Sequence, residues 1–320
     1  MINGFGYKRN EDFTTFSIFY GYWIKNDFIL LRDVYMNRWE PTIDEKEKYE
    51  NDGYFILPNV ISQDITAELR GVIRNVIVLP EPGKFVDIDP MDPMVDSPQG
   101  KIARYRKLAN FCVQSPLIWL NIYAGEKLLN IARHFLGDDI IMKYNSCFLK
   151  PARTGSATPW HQDNGLWRDG ETEPFNFWIP LEPATRENGC MQFIPGSHKT
   201  DIIEHVRYPE SIHGELPRED VKKMLEIHEV HHIELNAGDV VFWHSSMWHY
   251  SPPNKSDKSR IAVAGVWTNP QIIESSRHYW QGLCWVMKNG KVCTQFPPET
   301  VKLENGNIDP SEPFRIAKEY

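Results

Sequence analysis

Phe175-Asn176-Phe177-Trp178-Ile179-Pro180-Leu181 and Cys190-Met191-Gln192-Phe193-Ile194 are two apolar stretches, joined by a polar turn that contains Asn188-Gly189. Short apolar runs joined by such a turn read as a strand pair. Pro195-Gly196-Ser197-His198-Lys199 ends the second strand. Ala237-Gly238-Asp239 is a further tight turn, and Val240-Val241-Phe242-Trp243 follows it as a short buried strand. Strand-like segments dominate from Ile140 to Thr268. Short strands separated by turn residues are what a barrel or sandwich shows. Upstream, Ile65, Leu69, Val72, Ile73, Val76 and Ile77 recur at helical spacing, with Ser62 as N-cap and Asp64 in the first turn. Ser115-Pro116 caps another helix, and Gly137 closes the one with Leu128, Ile131, Ala132 and Phe135. The expectation is a mainly β fold braced by α-helices.

Within the β region stands His161-Gln162-Asp163, followed by His249 and, eleven residues later, Arg260. Residues two apart on a strand share a face, so a single strand is expected to present both His161 and Asp163 to one metal ion. His249 must then arrive on a neighbouring strand. Two neutral imidazoles and one carboxylate on one face of a metal leave positions open, the set that suits non-haem Fe(II) oxygenases. Arg260 adds a planar, permanently charged fork able to hold a carboxylate in bidentate fashion. Metal triad plus carboxylate fork is what an enzyme using 2-oxoglutarate needs. A lone His-x-Asp carries little weight, and the surrounding strands give it its meaning.

The stretch from about Tyr144 to Asn269 resembles the phytanoyl-CoA dioxygenase family of Fe(II)/2-oxoglutarate oxygenases. The matching residues are Trp160-His161-Gln162-Asp163, Trp178, Glu187-Asn188-Gly189-Cys190, Ile194 to Lys199, Gly238-Asp239, and His249 with Arg260. Glu50 to Pro58 is similar to the family's opening strand. The resemblance implies a double-stranded β-helix, a cupin-like jelly-roll barrel, which periodicity alone does not separate from other β-sandwiches. It implies His161, Asp163 and His249 as ligands of Fe(II), with 2-oxoglutarate and O2 taking the remaining sites. It implies Arg260, helped by Ser251, on the far carboxylate of 2-oxoglutarate, and Trp178 and Ser146 near that co-substrate. The products expected are succinate, CO2 and a substrate hydroxylated, desaturated or cyclised at an unactivated C–H bond. Residues 1–45 and 270–320 match nothing in the family pattern.

Length and composition fit a soluble enzyme. At 320 residues the chain can bury a large core, and one domain is expected. It divides into an aromatic-rich extension (1–45), helical support with a Pro-rich loop (46–137), the β-helix core (138–270) and a C-terminal extension (271–320). No run of 18 apolar residues suggests a membrane span, and Met1-Ile2-Asn3-Gly4-Phe5 does not begin a secretory signal. The five cysteines are widely spaced and odd in number, which favours reduced thiols in the cytoplasm. A net charge of −8 argues against a nucleic-acid partner. Phe13, Phe16, Phe19, Tyr20, Tyr22 and Trp23 are expected to pack on the core or at a homodimer contact. Pro80, Pro82, Pro90, Pro93 and Pro98 mark a long loop of the kind that forms lids.

The other histidines are weighed against the triad. His244 competes with His249, but its sixteen-residue distance from Arg260 departs from the family pattern. His228, His231 and His232 are expected on a polar strand between Met224 and Leu235, with no carboxylate matched to them. His198 falls in the Gly-Ser-His turn, and His205 and His213 fall in a Pro- and Glu-rich insertion without signal. Trp160, Trp167, Tyr105 and Phe85 are candidates for an apolar pocket. Lys101, Arg104, Arg106 and Lys107 form the nearby basic run, read as solvated surface. The acidic chain and the lack of a phosphate cradle favour a small metabolite, a natural-product intermediate, as substrate. An acyl-CoA hydroxylase of the same family stays open. So does a metal-binding barrel without oxygenase activity, either a zinc hydrolase or isomerase or a binding module.

Overall fold

The computed structural model describes residues 40–77, 86–88, 105–109, 111–167, 175–209, 211, 213–270, 284–299 and 301. All of these fall in one compact unit, Trp39–Tyr320. The aromatic N-terminal stretch, most of the Pro-rich loop, Phe85, Lys101, Arg104 and residues 302–320 lie outside the described residues, as do the side chains of Tyr105 and Trp167. Among the described residues no helix is long and apolar enough to cross a membrane.

Helix α1 (Ile43–Asp52) leads into strand β1 (Tyr54–Leu57), and α2 (Gln63–Ile77) follows. Strands β2 (Val86–Ile88) and β3 (Tyr105–Ala109) precede a helical stretch from Pro116 to Tyr123 and helix α3 (Glu126–Leu136). Then come β4 (Ile140–Lys150), β5 (Thr158–His161), the short helix α4 (Asp163–Trp167), β6 (Phe175–Pro180) and β7 (Met191–Phe193). Helix α5 (Arg218–Ile227) is followed by β8 (His231–Ile233), β9 (Val240–His244), β10 (His249–Ser251) and β11 (Arg260–Thr268). β12 (Cys284–Lys288) and β13 (Lys291–Val292) complete the set.

The strands form two sheets. One runs β1-β9-β6-β11-β4-β12-β13, with β3 also on β4 and β2 on β3; the other runs β5-β10-β7-β8. All the pairings are antiparallel. This is the jelly-roll class expected, as two facing sheets; among the described residues no ladder closes them into a continuous barrel.

β6 and β11 are buried along their whole length because the large sheet is covered on both faces. Its outer face packs against α2 and α3 in one apolar cluster that includes Leu69, Ile73, Leu128, Leu129, Phe177 and Trp267. Within it Phe55, Phe135, Phe175 and Phe242 stack, with Phe135–Phe175 at 4.7 Å, Phe175–Phe242 at 4.9 Å and Phe55–Phe242 at 5.1 Å between ring centroids. Its inner face packs against the small sheet through Trp178, Met191, Phe193, Val241, Trp243, Ala262 and Ala264. A third cluster of Ile194, Leu216 and Trp248 gathers Trp160, Val221 and Met224 on the far side of the small sheet.

Start and stop signals sit where the sequence puts them. Ser62 caps α2 through the Ile65 amide at 3.4 Å, Ser115 Oγ accepts from the Leu117 amide, and Gly137 ends α3. Gly238 turns with φ +87, and a Cβ there would meet the Ile61 carbonyl oxygen at 2.1 Å, so only glycine fits. None of the five cysteines forms a disulfide.

Two expectations about strands are corrected. The hairpin over 175–194 does not form, because β6 needs a neighbour on each side and takes β9 and β11, while β7 pairs in the other sheet. The Asn188-Gly189 turn therefore carries the chain between sheets. The polar strand from Met224 to Leu235 is instead the end of α5, then His228, then β8. Val221 and Met224 turn toward the third cluster, and that burial selects helix there.

Phe242 is fully buried at the centre of the aromatic stack. Phe242→Ala is expected to lower stability by about 3–5 kcal/mol, read as a shifted midpoint in chemical denaturation at unchanged slope. A loss below about 1 kcal/mol would mean the stack is not a keystone of the fold.

Candidate active site

β5 and β10 are neighbours in the small sheet, and His161 and His249 are directly opposite each other. Their rings lie 3.9 Å apart between centroids. Each imidazole is held the same way. His161 Nδ1 donates to the Pro159 carbonyl at 2.8 Å, and His249 Nδ1 to the Met247 carbonyl at 2.9 Å. A carbonyl can only accept, so both rings carry their proton on Nδ1 and present an Nε2 lone pair.

Asp163 closes the triangle, but not from the strand. β5 ends at His161, and Asp163 is the first residue of α4. The same-face spacing of a strand is therefore not what brings Asp163 in. The helical turn swings its carboxylate back, with Oδ1 3.6 Å from His161 Nε2 and Oδ2 3.9 Å from His249 Nε2. The three ligand atoms lie within 4.8 Å of one another. Among the described residues this is the one group of three or more His, Cys, Asp or Glu side chains with ligand atoms so converged.

Electrostatics favour metal-ready protonation states. Burial, then repulsion from His161, pulls His249 down to about 4, so its ring is neutral near pH 7. Burial alone would raise the Asp163 carboxyl. The two imidazoles and the Asn176 hydrogen bond outweigh it and leave the carboxyl below its ordinary value. The donor set is two imidazole nitrogens and one carboxylate with no thiolate, which fits Fe(II).

A polar network orients the set. Asn176 Nδ2 donates to Asp163 Oδ2 at 2.6 Å, and Ser245 Oγ donates to Asn176 Oδ1 at 2.8 Å. The fully buried Gln162 donates to the Asp201 and Ser246 carbonyls and accepts from the Ile203 amide. Asn164 donates through its amide to the Ser245 carbonyl and through Nδ2 to Ser246 Oγ. The loops preceding and following the ligands are thus tied together.

A second charged feature lies further along the inner face of the large sheet. Trp178, Ala264 and Ser146 are in register on β6, β11 and β4, one row beyond Asn176 and Val266. Two rows on, Arg260 begins β11. Ala262 and Ala264 carry only methyl groups between Asn176 and Arg260. Arg260 is 3% exposed, and its Nη1 donates to the Gly189 carbonyl at 2.8 Å. Ser251 Oγ donates to that same carbonyl at 2.9 Å. The guanidinium lies over the Trp178 ring at 5.0 Å, and its Nε has no hydrogen-bond partner. Burial pulls Arg260 down to about 10, so it is still charged at neutral pH. Among the described residues no carboxylate pairs with it. The Glu182 carboxylate acts on it electrostatically without a direct ion pair. The Ser146 hydroxyl is also buried without a partner.

The remaining candidates sort clearly. His244 points to the other face of the large sheet, against Tyr49 and His198, and accepts from the Ser246 amide. Tyr54 donates to or accepts from His231, and Gln192 meets His232, both away from the triad. Trp160 stacks on Tyr250 at 5.4 Å, on the opposite side of the small sheet from the His161 and His249 rings, so it does not line the site.

His205 and His213, which had no sequence signal, lie at the centre. His205 Nε2 accepts from the Gln162 amide at 3.0 Å, and its Nδ1 donates to the Ile203 carbonyl. The His213 ring meets His161 edge-on at 4.8 Å. Burial, then His161, Arg106 and Lys107, holds His213 well below its ordinary value. Asn176 was also missed, although its same-face spacing to Trp178 was readable.

A family model described as phytanoyl-CoA dioxygenase (PhyH) matches residues 49–262. The chain is 26% identical over 240 residues to L-proline trans-4-hydroxylase of Streptomyces griseoviridis, covering 70% of this chain and 85% of that one. It is 28% identical over 156 residues to ectoine dioxygenase of Sphingopyxis alaskensis, where the match spans about half of each chain, 48%. Among solved structures, EctD from S. alaskensis with 2-oxoglutarate and 5-hydroxyectoine aligns with a TM-score of 0.60 at 23% identity, over 73% of this chain and 78% of that one. The carbocyclase SnoK from nogalamycin biosynthesis aligns at 0.57 and 19% identity, over 77% and 86%. This chain belongs to the phytanoyl-CoA dioxygenase family of Fe(II)/2-oxoglutarate-dependent oxygenases.

Proposed function

We propose that His161, Asp163 and His249 hold Fe(II), and that Arg260, with Ser251, receives the far carboxylate of 2-oxoglutarate along the Ala264–Ser146–Trp178 row. The enzyme then oxidises one unactivated C–H bond of a small metabolite, a natural-product intermediate, by hydroxylation, desaturation or cyclisation. The observation that carries this reading is the buried Arg260 guanidinium, without a direct ion pair among the described residues and with its Nε unpartnered, on the face that also bears Asn176, which hydrogen-bonds Asp163. A zinc hydrolase or a binding module has no use for such a cation. Relatives named for small metabolites, a proline hydroxylase and an ectoine dioxygenase, stand beside relatives named phytanoyl-CoA dioxygenase, and the choice of a small metabolite rests on the acidic chain.

When bound, iron, 2-oxoglutarate and O2 supply the oxidising power, with succinate and CO2 as by-products. The chain's own residues do the positioning. Pro159 and Met247 carbonyls keep both imidazoles in the tautomer that ligates through Nε2. Asn176 fixes one Asp163 oxygen and leaves the carboxylate directed at the imidazoles. Phe193 and Trp243 pack edge-on against His249 and keep water from that side. Arg260 fixes the orientation of the far carboxylate, because two parallel hydrogen bonds accept one orientation.

The ligand assignment is tested one residue at a time. His161→Ala, Asp163→Ala and His249→Ala are each expected to abolish iron-dependent succinate formation while circular dichroism stays native. His244→Ala retains its iron. Loss of metal in His244→Ala with retention in His249→Ala would reverse the third ligand.

Asn176→Leu removes the hydrogen bond that orients Asp163. Iron affinity is expected to fall by about 10- to 100-fold, measured by competition with a chelator. Unchanged affinity would reduce Asn176 to a packing residue.

Arg260→Leu is expected to weaken 2-oxoglutarate binding by roughly two or more orders of magnitude with iron still bound, because a buried charge-assisted pair is lost. Calorimetric titration into the Fe(II)-loaded variant reads this directly. Unchanged affinity would place the co-substrate carboxylate elsewhere.

A further inference from the structure

β4 ends on a lysine withdrawn from water. Lys150 is 3% exposed, and its ammonium donates to three backbone carbonyls: Ser156 and Pro252, each at 2.6 Å, and Ser251 at 3.2 Å. These carbonyls belong to the loop after β4 and to the end of β10. Lys150 also stands directly opposite Arg260 on β11. Opposite residues of an antiparallel pair share a face, with Cβ atoms about 4.5–5.5 Å apart. The lysine stem runs along Gly189, where an added Cβ would meet Lys150 Cδ at 3.0 Å and Cε at 3.4 Å. The Pro252 carbonyl that Lys150 grips abuts the same glycine, at 2.4 Å from that Cβ position. The lysine backbone is held as well, since Asn254 Nδ2 donates to the Lys150 carbonyl at 2.9 Å. Lys150 thus adjoins every part of the carboxylate pocket. Arg260 is its strand neighbour, Ser251 is held by its carbonyl, and Gly189 offers one carbonyl to both Arg260 Nη1 and Ser251 Oγ.

We propose that Lys150 is a positioning residue for the co-substrate: it holds Ser251, Pro252 and Gly189 so that Arg260 meets the far carboxylate of 2-oxoglutarate in one orientation. This role rests on the reading of Arg260 above. An ammonium has three protons and no acceptor, and three carbonyls take them here, so Lys150 acts through its neighbours and not on the ligand. Without it the Ser251 and Pro252 carbonyls lose a shared donor, and the end of β10 is free to shift. Gly189 then loses the contact that sets its carbonyl, and with it the direction of the Arg260 fork. Bidentate recognition is sensitive to that direction, because both hydrogen bonds must be made at once. The keto-acid end of the co-substrate, at the triad, does not depend on these contacts.

Two keto acids separate positioning from a purely structural clip. Anaerobic calorimetry of the Fe(II)-loaded full chain compares 2-oxoglutarate with 2-oxopentanoate, which has the same keto-acid head and a methyl group in place of the far carboxylate. Native enzyme is expected to bind 2-oxoglutarate the more tightly. Lys150→Met is expected to weaken 2-oxoglutarate binding about tenfold or more, as when other groups that orient a ligand-binding side chain are removed. Its affinities for 2-oxopentanoate and for Fe(II) should match those of native enzyme. Adding Lys150→Met to Arg260→Leu should change 2-oxoglutarate affinity little, because the side chain that Lys150 positions is gone. Should Lys150→Met not fold, Lys150→Arg is read by the same comparison, since a guanidinium cannot bring one ammonium to three carbonyls, and the same selective loss is expected. Equal weakening of both keto acids, no weakening of either, or an undiminished further loss in the Arg260→Leu background overturns the role of Lys150 and leaves the reading of Arg260 standing. Native enzyme that binds the two keto acids equally removes the reading of Arg260, and the role of Lys150 with it.

Discussion

Two carbonyl oxygens govern the centre of this protein. Pro159 and Met247 each take the Nδ1 proton of the histidine two residues downstream. Without those hydrogen bonds each ring could ligate through either nitrogen and rotate about its side chain. With them, both Nε2 lone pairs converge on the Asp163 carboxylate. The convergence also needs the direct opposition of His161 and His249 across β5 and β10. That register in turn depends on the small sheet staying pressed to the large one through Phe193, Trp243 and Trp178. Packing therefore sets the metal geometry, and the polar network around Gln162, Asn164 and Asn176 removes the freedom that packing leaves.

Charge burial is the second constraint. Three titratable ligands and one guanidinium are withdrawn from water in facing sheets, at a cost that folding alone does not offset. The ligands support one another, with the Asp163 carboxyl held below its ordinary value by the two histidines and by Asn176. Arg260 makes no direct ion pair with a described carboxylate; its contacts are a carbonyl and an indole face, and Glu182 acts on it from further off. On the proposed reading, a carboxylate bound there would stabilise the site, linking co-substrate occupancy to stability. Gly189 is central to this pocket. It turns with φ +88, its carbonyl serves both Arg260 and Ser251, and a Cβ on it would strike the Pro252 carbonyl oxygen at 2.4 Å.

The β character, the caps at Ser62, Ser115 and Gly137, and the turn at Gly238 were legible because each is set by a few adjacent residues. His161, His249 and Arg260 stood out for a different reason, because their spacing resembles the family pattern. What could not be read depends on distant chain. Asp163 looked like a strand residue because spacing cannot say where a strand ends. The 175–194 pair looked like a hairpin because a run buried on both faces does not reveal which strands flank it. His205 and His213 gave no signal because their neighbours, Gln162 and His161, lie more than forty residues away in sequence. His244 and His249 differ only in which face of the sandwich they meet, a distinction that tertiary packing makes.

The central claim is that one metal ion and one dicarboxylate occupy this sandwich together, the first at the triad and the second between it and Arg260. Anaerobic absorption spectroscopy of the full chain titrated with Fe(II) and then 2-oxoglutarate tests it most directly. The account predicts a weak visible charge-transfer band that needs both components and saturates stoichiometrically in each. Iron that binds without any such band on addition of 2-oxoglutarate would contradict it.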